Sequence, residues 1–356
     1  MPRLRRSSCA TPGISRLRRG RGFEYLDSDG GRIDDPEVRG RIAGLAIPPA
    51  WREVWVCMDP RGHLQATGVD VAGRKQYLYH EQWRAHRDRL KFDEMLQFGR
   101  ALPPLRRRVG CDLRAPRDNS DRLRIDQLTP ERVLACAVRL LDVGFFRVGS
   151  EDYVKRNSSY GLTTMLREHV TVAAGELVFD FPAKSGQRRV QEIDDRDALE
   201  VVAALKRRRG GEQLLAYRAG RGWADCSAEE VNAYIAEHAG GPFTAKDFRT
   251  WHATVLAATA LAARAGLPGA KATRARRDRE VAAAIKGVAA DLGNTPAVCR
   301  ASYVDPRVID RYHAGATIAP ALERLMAGRN GDGPEFSRPR VRRRVEMAVL
   351  DLLDDC

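Results

Sequence analysis

The sequence predicts an α+β protein: a small antiparallel β-sheet domain near the N-terminus, then a larger, mainly α-helical domain carrying a small β-hairpin sheet. Strand-like patterning broken by turn residues fills residues 47–80. From about residue 91 the apolar residues recur at helical spacing between capping signals. One later stretch, residues 176–193, returns to strand patterning around a tight turn. With 356 residues, 43% of them hydrophobic, the chain is long enough for two domains and apolar enough to bury a core.

In chain order, Glu53-Val54-Trp55-Val56-Cys57-Met58 reads as a strand between Pro48-Pro49 and the turn Asp59-Pro60-Arg61-Gly62. His63-Leu64-Gln65-Ala66-Thr67-Gly68 and Gln76-Tyr77-Leu78-Tyr79 follow as strands, and a charged helix over residues 81–89 leads out. Thr129-Pro130-Glu131 combines an N-cap, a proline at the first helical position and an acid, ahead of an apolar-periodic run over residues 133–143. Residues 194–209 begin with acids and end in Lys206-Arg207-Arg208-Arg209 before Gly210, matching the helix dipole at both ends. Ser227 and Glu230 form a capping box for a helix ending at Gly240. Thr244 and Asp247 open a helix running to Gly266, and residues 278–292 form another, closed by Gly293. The hairpin pairs Glu176-Leu177-Val178-Phe179-Asp180-Phe181 with residues 188–193 across Ala183-Lys184-Ser185-Gly186. No internal repeat is present. The expected boundaries are a basic disordered arm over 1–21, a sheet domain over 22–90, the helical domain over 91–330 and a tail over 331–356, in which Arg342-Arg343-Arg344 followed by Asp351 and Asp354-Asp355 reads as a short amphipathic helix of no evident function.

Composition narrows the partner. Lys and Arg number 61 against 47 Asp and Glu, a formal net charge of +14. Such a chain attracts polyanions, phosphate backbones above all, although a general preference for Arg gives the same excess with no nucleic acid involved. The longest uncharged, largely apolar stretch spans residues 250–263, short of the roughly 18–20 residues a membrane-spanning helix needs. The seven cysteines include no C-x-x-C pair, which argues against a zinc site or a secreted disulfide framework and for a reducing cytoplasm. Seven Arg and no acid precede Glu24, and Pro2, Pro12 and several glycines interrupt any apolar-faced helix there, so an unstructured arm fits better than an organelle-targeting segment.

No G-x-x-x-x-G-K-[ST] and no H-E-x-x-H occur, nor a dense carboxylate cluster of the two-metal kind, so chemistry without ATP, metal or other cofactor is expected. Five segments are more specific. They are Phe146-Arg147-Val148-Gly149-Ser150-Glu151 with Tyr153; Ser159-Tyr160-Gly161-Leu162-Thr163-Thr164; Phe181-Pro182-Ala183-Lys184-Ser185-Gly186; Lys246-Asp247-Phe248-Arg249-Thr250-Trp251; and Leu292-Gly293-Asn294-Thr295-Pro296 with Cys299-Arg300, then Ser302-Tyr303-Val304-Asp305-Pro306. Singly, each has a bland reading: an ordinary tyrosine, surface ion-pair arginines, a solvated turn lysine, a helix C-cap asparagine.

In this order the segments resemble the catalytic segments of type IB DNA topoisomerases, in the short form of bacteria and poxviruses. The resemblance extends over residues 22–330 and includes Ile47-Pro48-Pro49-Ala50-Trp51 and Gly73-Arg74-Lys75-Gln76-Tyr77 with Tyr79-His80. It implies the fold shared by topoisomerases IB and tyrosine recombinases. It implies a tyrosine nucleophile at Tyr303 that joins a 3′ phosphate, and arginines at Arg147 and Arg249 that hold the scissile phosphate. Lys184 would protonate the leaving 5′ oxygen, Asn294 would stand where many members carry a phosphate-binding histidine, and Lys246 would assist proton transfer or contact DNA. Gln76, Tyr77 and Tyr79 would contact the major groove. The implied protein is a cytoplasmic, nucleoid-associated monomer clamped around duplex DNA, relaxing supercoils of either sign.

Elementary chemistry agrees with those roles. The phosphodiester transition state gathers charge on non-bridging oxygens, which permanently protonated guanidinium forks match. Arg249 is expected in the first turn of its helix, where the dipole favours an anion. A phenol of reference pKa about 10 needs neighbouring cations to ionise, and a 5′ alkoxide needs a general acid. Two departures stand out. An amide at Asn294 keeps a donor but loses a titratable group. Ala183 precedes the lysine where glycine is frequent, which would strain a turn requiring positive φ by about 1 kcal/mol. Two other readings remain: a site-specific tyrosine recombinase, which usually carries H-x-x-R where this chain has Lys246-Asp247-Phe248-Arg249, and a non-catalytic DNA-binding protein. Tyr153 and Tyr160 read equally as core or DNA-facing residues, and His252 reads as a packing residue. The basic runs at 106–108, 206–209 and 274–277 read as phosphate tracks or solvated faces, the last as the strongest candidate for DNA contact.

Overall fold

The computed structural model describes residues 3–114, 122–151, 154, 158–265, 273–326 and 339–354. The chain divides into two units, Met1–Asp93 and Glu94–Cys356. In the first, β1 (Ile14–Arg19), β2 (Gly22–Leu26), β3 (Arg52–Val56), β4 (Leu64–Val69) and β5 (Lys75–Tyr79) form an antiparallel sheet in the order β2-β1-β3-β4-β5. Helix α1 (Pro36–Gly44), capped by Asp35, lends Ile42 to a core of Ile14, Ile47, Val54, Val56 and Ala66.

The expected basic arm over 1–21 is corrected here, because the described part of it folds into this sheet. Alternation along β1 sends Ile14 and Arg16 inward, and the Arg16 guanidinium donates to the carbonyls of Ile47, Pro48 and Trp51 while lying 4.1 Å from the Phe23 ring centre. A buried arginine held by three carbonyls anchors a segment whose composition alone suggests disorder.

The charged helix expected over 81–89 continues as α2 (Glu81–Leu113), whose residues from Glu94 onward belong to the second unit and bury Met95, Phe98, Leu102 and Leu105. Helix α3 (Pro130–Gly144) starts where its sequence signals place it, with the Thr129 side chain accepting from the Arg132 amide. Strands β6 (Val170–Ala173), β7 (Glu176–Pro182) and β8 (Arg188–Ile193) form a three-stranded sheet, one strand more than the hairpin expected. Helix α4 (Arg196–Arg207) follows, then the hairpin β9 (Ala216–Ala219) and β10 (Gly222–Asp225). Helix α5 (Ala228–Ala239) carries the Ser227–Glu230 capping box and ends on left-handed Gly240. Helix α6 (Ala245–Ala265) begins behind Thr244, whose amide donates to Asp247; the expected stop at Gly266 lies outside the described residues. Helices α7 (Arg274–Leu292), α8 (Pro296–Ser302), α9 (Pro306–Ala314) and α10 (Ala319–Met326) follow.

The described part of the tail expected over 331–356 is helical. Residues 339–354 form helix α11 (Pro339–Asp354), which buries Val341, Val345, Val349 and Leu353. Its Arg342 and Glu346 complete a buried charge network. Arg106 donates to Asp142 (2.9 Å) and Glu346 (2.6 Å), and Arg342 donates to Asp142 (2.7 Å) and His252 (2.7 Å). Burial alone would raise both carboxyls, yet Arg106 and Arg342 hold Asp142 well below, and Glu346 below, the usual carboxylate range.

His252 is therefore a packing residue, as its sequence position suggests. Burial pushes its imidazole down to about 4, the Asp142 carboxylate opposing and the Arg342 and Arg106 charges adding. A histidine favoured neutral in the fold contributes stability that is complete above its unfolded value of about 6.5 and lost as pH falls toward its folded value. The expected loss across that window is about 3 kcal/mol. Melting temperatures of the wild type should fall between pH 6.5 and 4, and the His252→Gln variant should lack most of that limb; an unchanged slope in the variant contradicts the assignment.

Candidate active site

Two helix C-termini converge on one cluster of arginines. Helix α7 ends at Gly293 in the left-handed conformation (φ 62°), which turns the chain into the Thr295 N-cap of α8 and leaves the last carbonyls of α7 unpaired within the helix. Three successive carbonyls each accept from a different arginine: Asp291 from Arg189 Nη2 (2.6 Å), Leu292 from Arg249 Nη2 (2.8 Å) and Gly293 from Arg147 Nη2 (2.9 Å). At the end of α3, left-handed Phe145 (φ 52°) presents its carbonyl to Arg249 Nη1 at 2.5 Å. The negative ends of two helix dipoles thus hold the guanidiniums.

Arg249 is buried, and it lies a full turn inside α6 rather than in its first turn. Its partners are carbonyls of other elements, not the N-terminus of its own helix. Burial first, then the Arg147 and Arg189 charges, pushes its guanidinium down to about 10, with the Tyr303 phenol opposing. It stays cationic at neutral pH. Neither Arg189 nor Arg249 forms an ion pair with a carboxylate among the described residues, so the cluster is cationic and only partly hydrated, a setting that favours an incoming anion.

Tyr303, at the C-cap of α8, places its ring 5.3 Å from the Arg249 guanidinium carbon. Its backbone is fixed on both sides: its amide donates to Cys299, and its carbonyl accepts from Thr254 Oγ1 at 3.3 Å. Thr254 also accepts from the amide of Asp305, the buried N-cap of α9. Helix α6 therefore carries both Arg249 and the hydroxyl that positions the tyrosine segment.

Asn294 accepts from Arg147 through Oδ1 at 2.6 Å. A guanidinium cannot accept, so this orientation of the amide is chemically required. Its Nδ2 is buried without a partner among the described residues, a donor held ready inside the cluster.

Arg147 reaches the cluster along an extended segment, where its carbonyl accepts from Leu162 and that of Val148 accepts from Thr163. Gly161 permits this crossing, since a Cβ there would lie 2.3 Å from the Gly149 Cα. Tyr160 donates its amide to Pro182, tying the segment to the β7–β8 turn. Arg147, Tyr160 and exposed Lys184 line one groove with Gly149, Ser150, Ser159 and Gly161. The turn at Lys184 is a 3₁₀ turn in which Ala183 is extended (φ −93°) and Gly186 takes the positive φ. Position 183 does not require a positive φ, so the condition for strain at alanine is not met and the turn takes another shape. Tyr153 lies outside the described residues.

Other candidates fall elsewhere. Lys246 is exposed in the first turn of α6. In the first unit, Tyr77 and Tyr79 are 47% and 39% exposed and stack at 6.2 Å on the outer face of the edge strand β5. Gln76, one residue out of phase, turns to the opposite face and donates to Asp70. Members of the basic runs, expected as phosphate tracks or solvated faces, make contacts within the fold. Arg106 belongs to the α11 network; Lys206, Arg207 and Arg208 donate to backbone carbonyls; Arg276 pairs with Glu280, and Arg277 donates to the His313 carbonyl. Arg189 was not singled out by the sequence motifs. Hairpin parity was the available signal, since pairing across the turn sets it opposite inward Phe181.

Residues 80–318 match the family model of the eukaryotic DNA topoisomerase I catalytic core, and residues 22–70 match that of the bacterial DNA topoisomerase IB N-terminal domain. The chain is 30% identical over 305 residues to a DNA topoisomerase 1B of Acanthamoeba polyphaga mimivirus, across 84% of this chain and 87% of the relative. With its sheet unit, helical core and ordered motifs, this chain belongs to the type IB DNA topoisomerases, enzymes that act on DNA.

Proposed function

We propose that the chain relaxes positive and negative supercoils by cutting and resealing one DNA strand through a 3′-phosphotyrosyl intermediate at Tyr303. The observation that carries this reading is the Arg249 guanidinium beside the Tyr303 ring, joined through one helix end to Arg147 and Asn294. The phenolate oxygen attacks phosphorus as the bond to the 5′ oxygen breaks. Arg147, Arg249 and the Asn294 Nδ2 donate to the non-bridging oxygens, where charge accumulates. Lys184 delivers a proton to the departing 5′ oxygen, and the phenol's proton leaves past the guanidinium cluster to water. The phosphotyrosyl ester retains the energy of the broken bond, so the 5′ hydroxyl attacks it in reverse and resealing needs neither ATP nor metal.

One strand is cut at a time, so a monomer clamped on duplex DNA suffices, acting at the nucleoid. The exposed pair Tyr77 and Tyr79 offers amphipathic rings to the duplex, and exposed Lys246 a further phosphate contact.

Supercoiled plasmid incubated with the protein in EDTA without ATP should relax, and Tyr303→Phe should abolish relaxation while DNA binding persists. A requirement for ATP or metal, or an active Tyr303→Phe, contradicts the reading. Lys184→Ala should slow strand cleavage by about 10²–10⁴-fold. A substrate whose leaving 5′ oxygen is replaced by sulfur, which departs without a proton, should restore most of that rate; an equal deficit on both substrates rules out the general-acid role.

A further inference from the structure

We propose that Arg189 is a third guanidinium of the phosphate site, binding a non-bridging oxygen of a DNA backbone phosphate through its Nη1. The inference rests on the proposed cleavage chemistry and extends it to a residue outside the motifs that carry the family resemblance.

The β7–β8 register places Arg189 opposite Phe181, on the face of the sheet that turns toward the core, whereas its neighbour Arg188 pairs outward with Asp180. An arginine on an inward face needs partners, and two of its donors have them. Nε donates to Gln191 Oε1 at 3.1 Å, and Nη2 donates to the Asp291 carbonyl at 2.6 Å. Gln191 is itself fixed, through its amide, on the Gly144 carbonyl. The guanidinium plane is thus set by a strand neighbour on one side and the end of α7 on the other.

Nη1 has no recorded partner among the described residues, and it faces the cluster. A Cβ built on Gly293 would lie 2.7 Å from Arg189 Nη1 and 3.9 Å from Arg147 Nη1, so both tips lie against the bare Cα of Gly293. Structural arginines of this protein direct their donors either to carboxylates, as Arg106 does, or to several carbonyls, as Arg16 does, whereas Arg189 keeps one Nη turned toward two other guanidiniums. Arg189 adds its charge to Arg147 and Arg249, with the Asp291 carboxylate opposing it from beyond ion-pair distance, and a bound anion would stabilise the three charges further. Burial and the Arg147 charge lower its pKa, in keeping with that crowding. The anion that fits a row of guanidinium forks beside a phosphate-cleaving tyrosine is the polyphosphate strand of the substrate.

The test is single-turnover cleavage of short duplexes by wild type, Arg189→Gln and Arg189→Lys. One set of duplexes is unmodified; the others carry a single uncharged methylphosphonate at the scissile phosphate or at either neighbour. On unmodified DNA, Arg189→Gln should cleave at least about tenfold more slowly, with Arg189→Lys intermediate and both melting near the wild type. On one methylphosphonate duplex, wild type and Arg189→Gln should converge, and the position of that duplex identifies the phosphate bound. A deficit equal on every duplex, or no deficit at all, overturns the contact and leaves Arg189 a brace for the turn. A wild type that cleaves no duplex contradicts the nucleophile reading instead, and this contact with it.

Discussion

The end of helix α7 is the constraint on which the rest depends. A helix must leave its last carbonyls unpaired, and here three of them, at Asp291, Leu292 and Gly293, are satisfied by Arg189, Arg249 and Arg147. The arginines come from three different elements: a strand, a helix and an extended segment after α3. This shared acceptor set, together with the Phe145 carbonyl, Asn294 and Gln191, holds the three like charges near one another. The dipole of α7 offsets part of that repulsion, and the remainder is what an arriving phosphate relieves. Gly293 makes the arrangement possible twice over, by taking the left-handed conformation that ends the helix and by leaving no Cβ between the guanidinium tips.

The nucleophile is tied to the same frame. Thr254 sits on the helix that carries Arg249 and holds the Tyr303 carbonyl and the Asp305 amide. Behind that helix, His252, Asp142, Arg106, Arg342 and Glu346 form the buried network through which α11 packs. That network includes Asp142, three residues ahead of the Phe145 carbonyl that grips Arg249. The residues that touch DNA in the proposed reaction are few; the residues that fix their direction extend across most of the unit.

Much of this was legible in the residues. Caps at Thr129 and Ser227 start helices where their side chains say they should, because each accepts from an orphan amide by local geometry alone, and at Thr244 the Asp247 carboxylate does the same for the Thr244 amide. The motif order pointed to Arg147, Lys184, Arg249, Asn294 and Tyr303, and the fold assembles four of them around one helix end, with Lys184 on the adjoining groove. What the residues concealed was tertiary. The strand at Ile14–Arg19 looked like a disordered arm because Arg16 has no local partner; its carbonyl acceptors lie some thirty residues away. Helix α11 looked functionless because its charges are answered by Asp142 and Arg106, far upstream. Arg189 carries no motif at all. The +14 charge is also reread, since many cations, among them Arg16, Arg207 and Arg208, serve backbone carbonyls and so hold the fold together while remaining unneutralised.

The most direct test of a site built around one phosphate and one tyrosine is the chemistry of the trapped bond. Plasmid and protein are mixed, the complex is denatured abruptly with detergent, and protease and nuclease digestion reduces it to a nucleotide-bearing peptide for mass spectrometry. The account predicts a peptide containing Tyr303 joined to a 3′ phosphate, with a free 5′ hydroxyl on the other DNA end. Attachment through a 5′ phosphate, or through any residue but Tyr303, would contradict it.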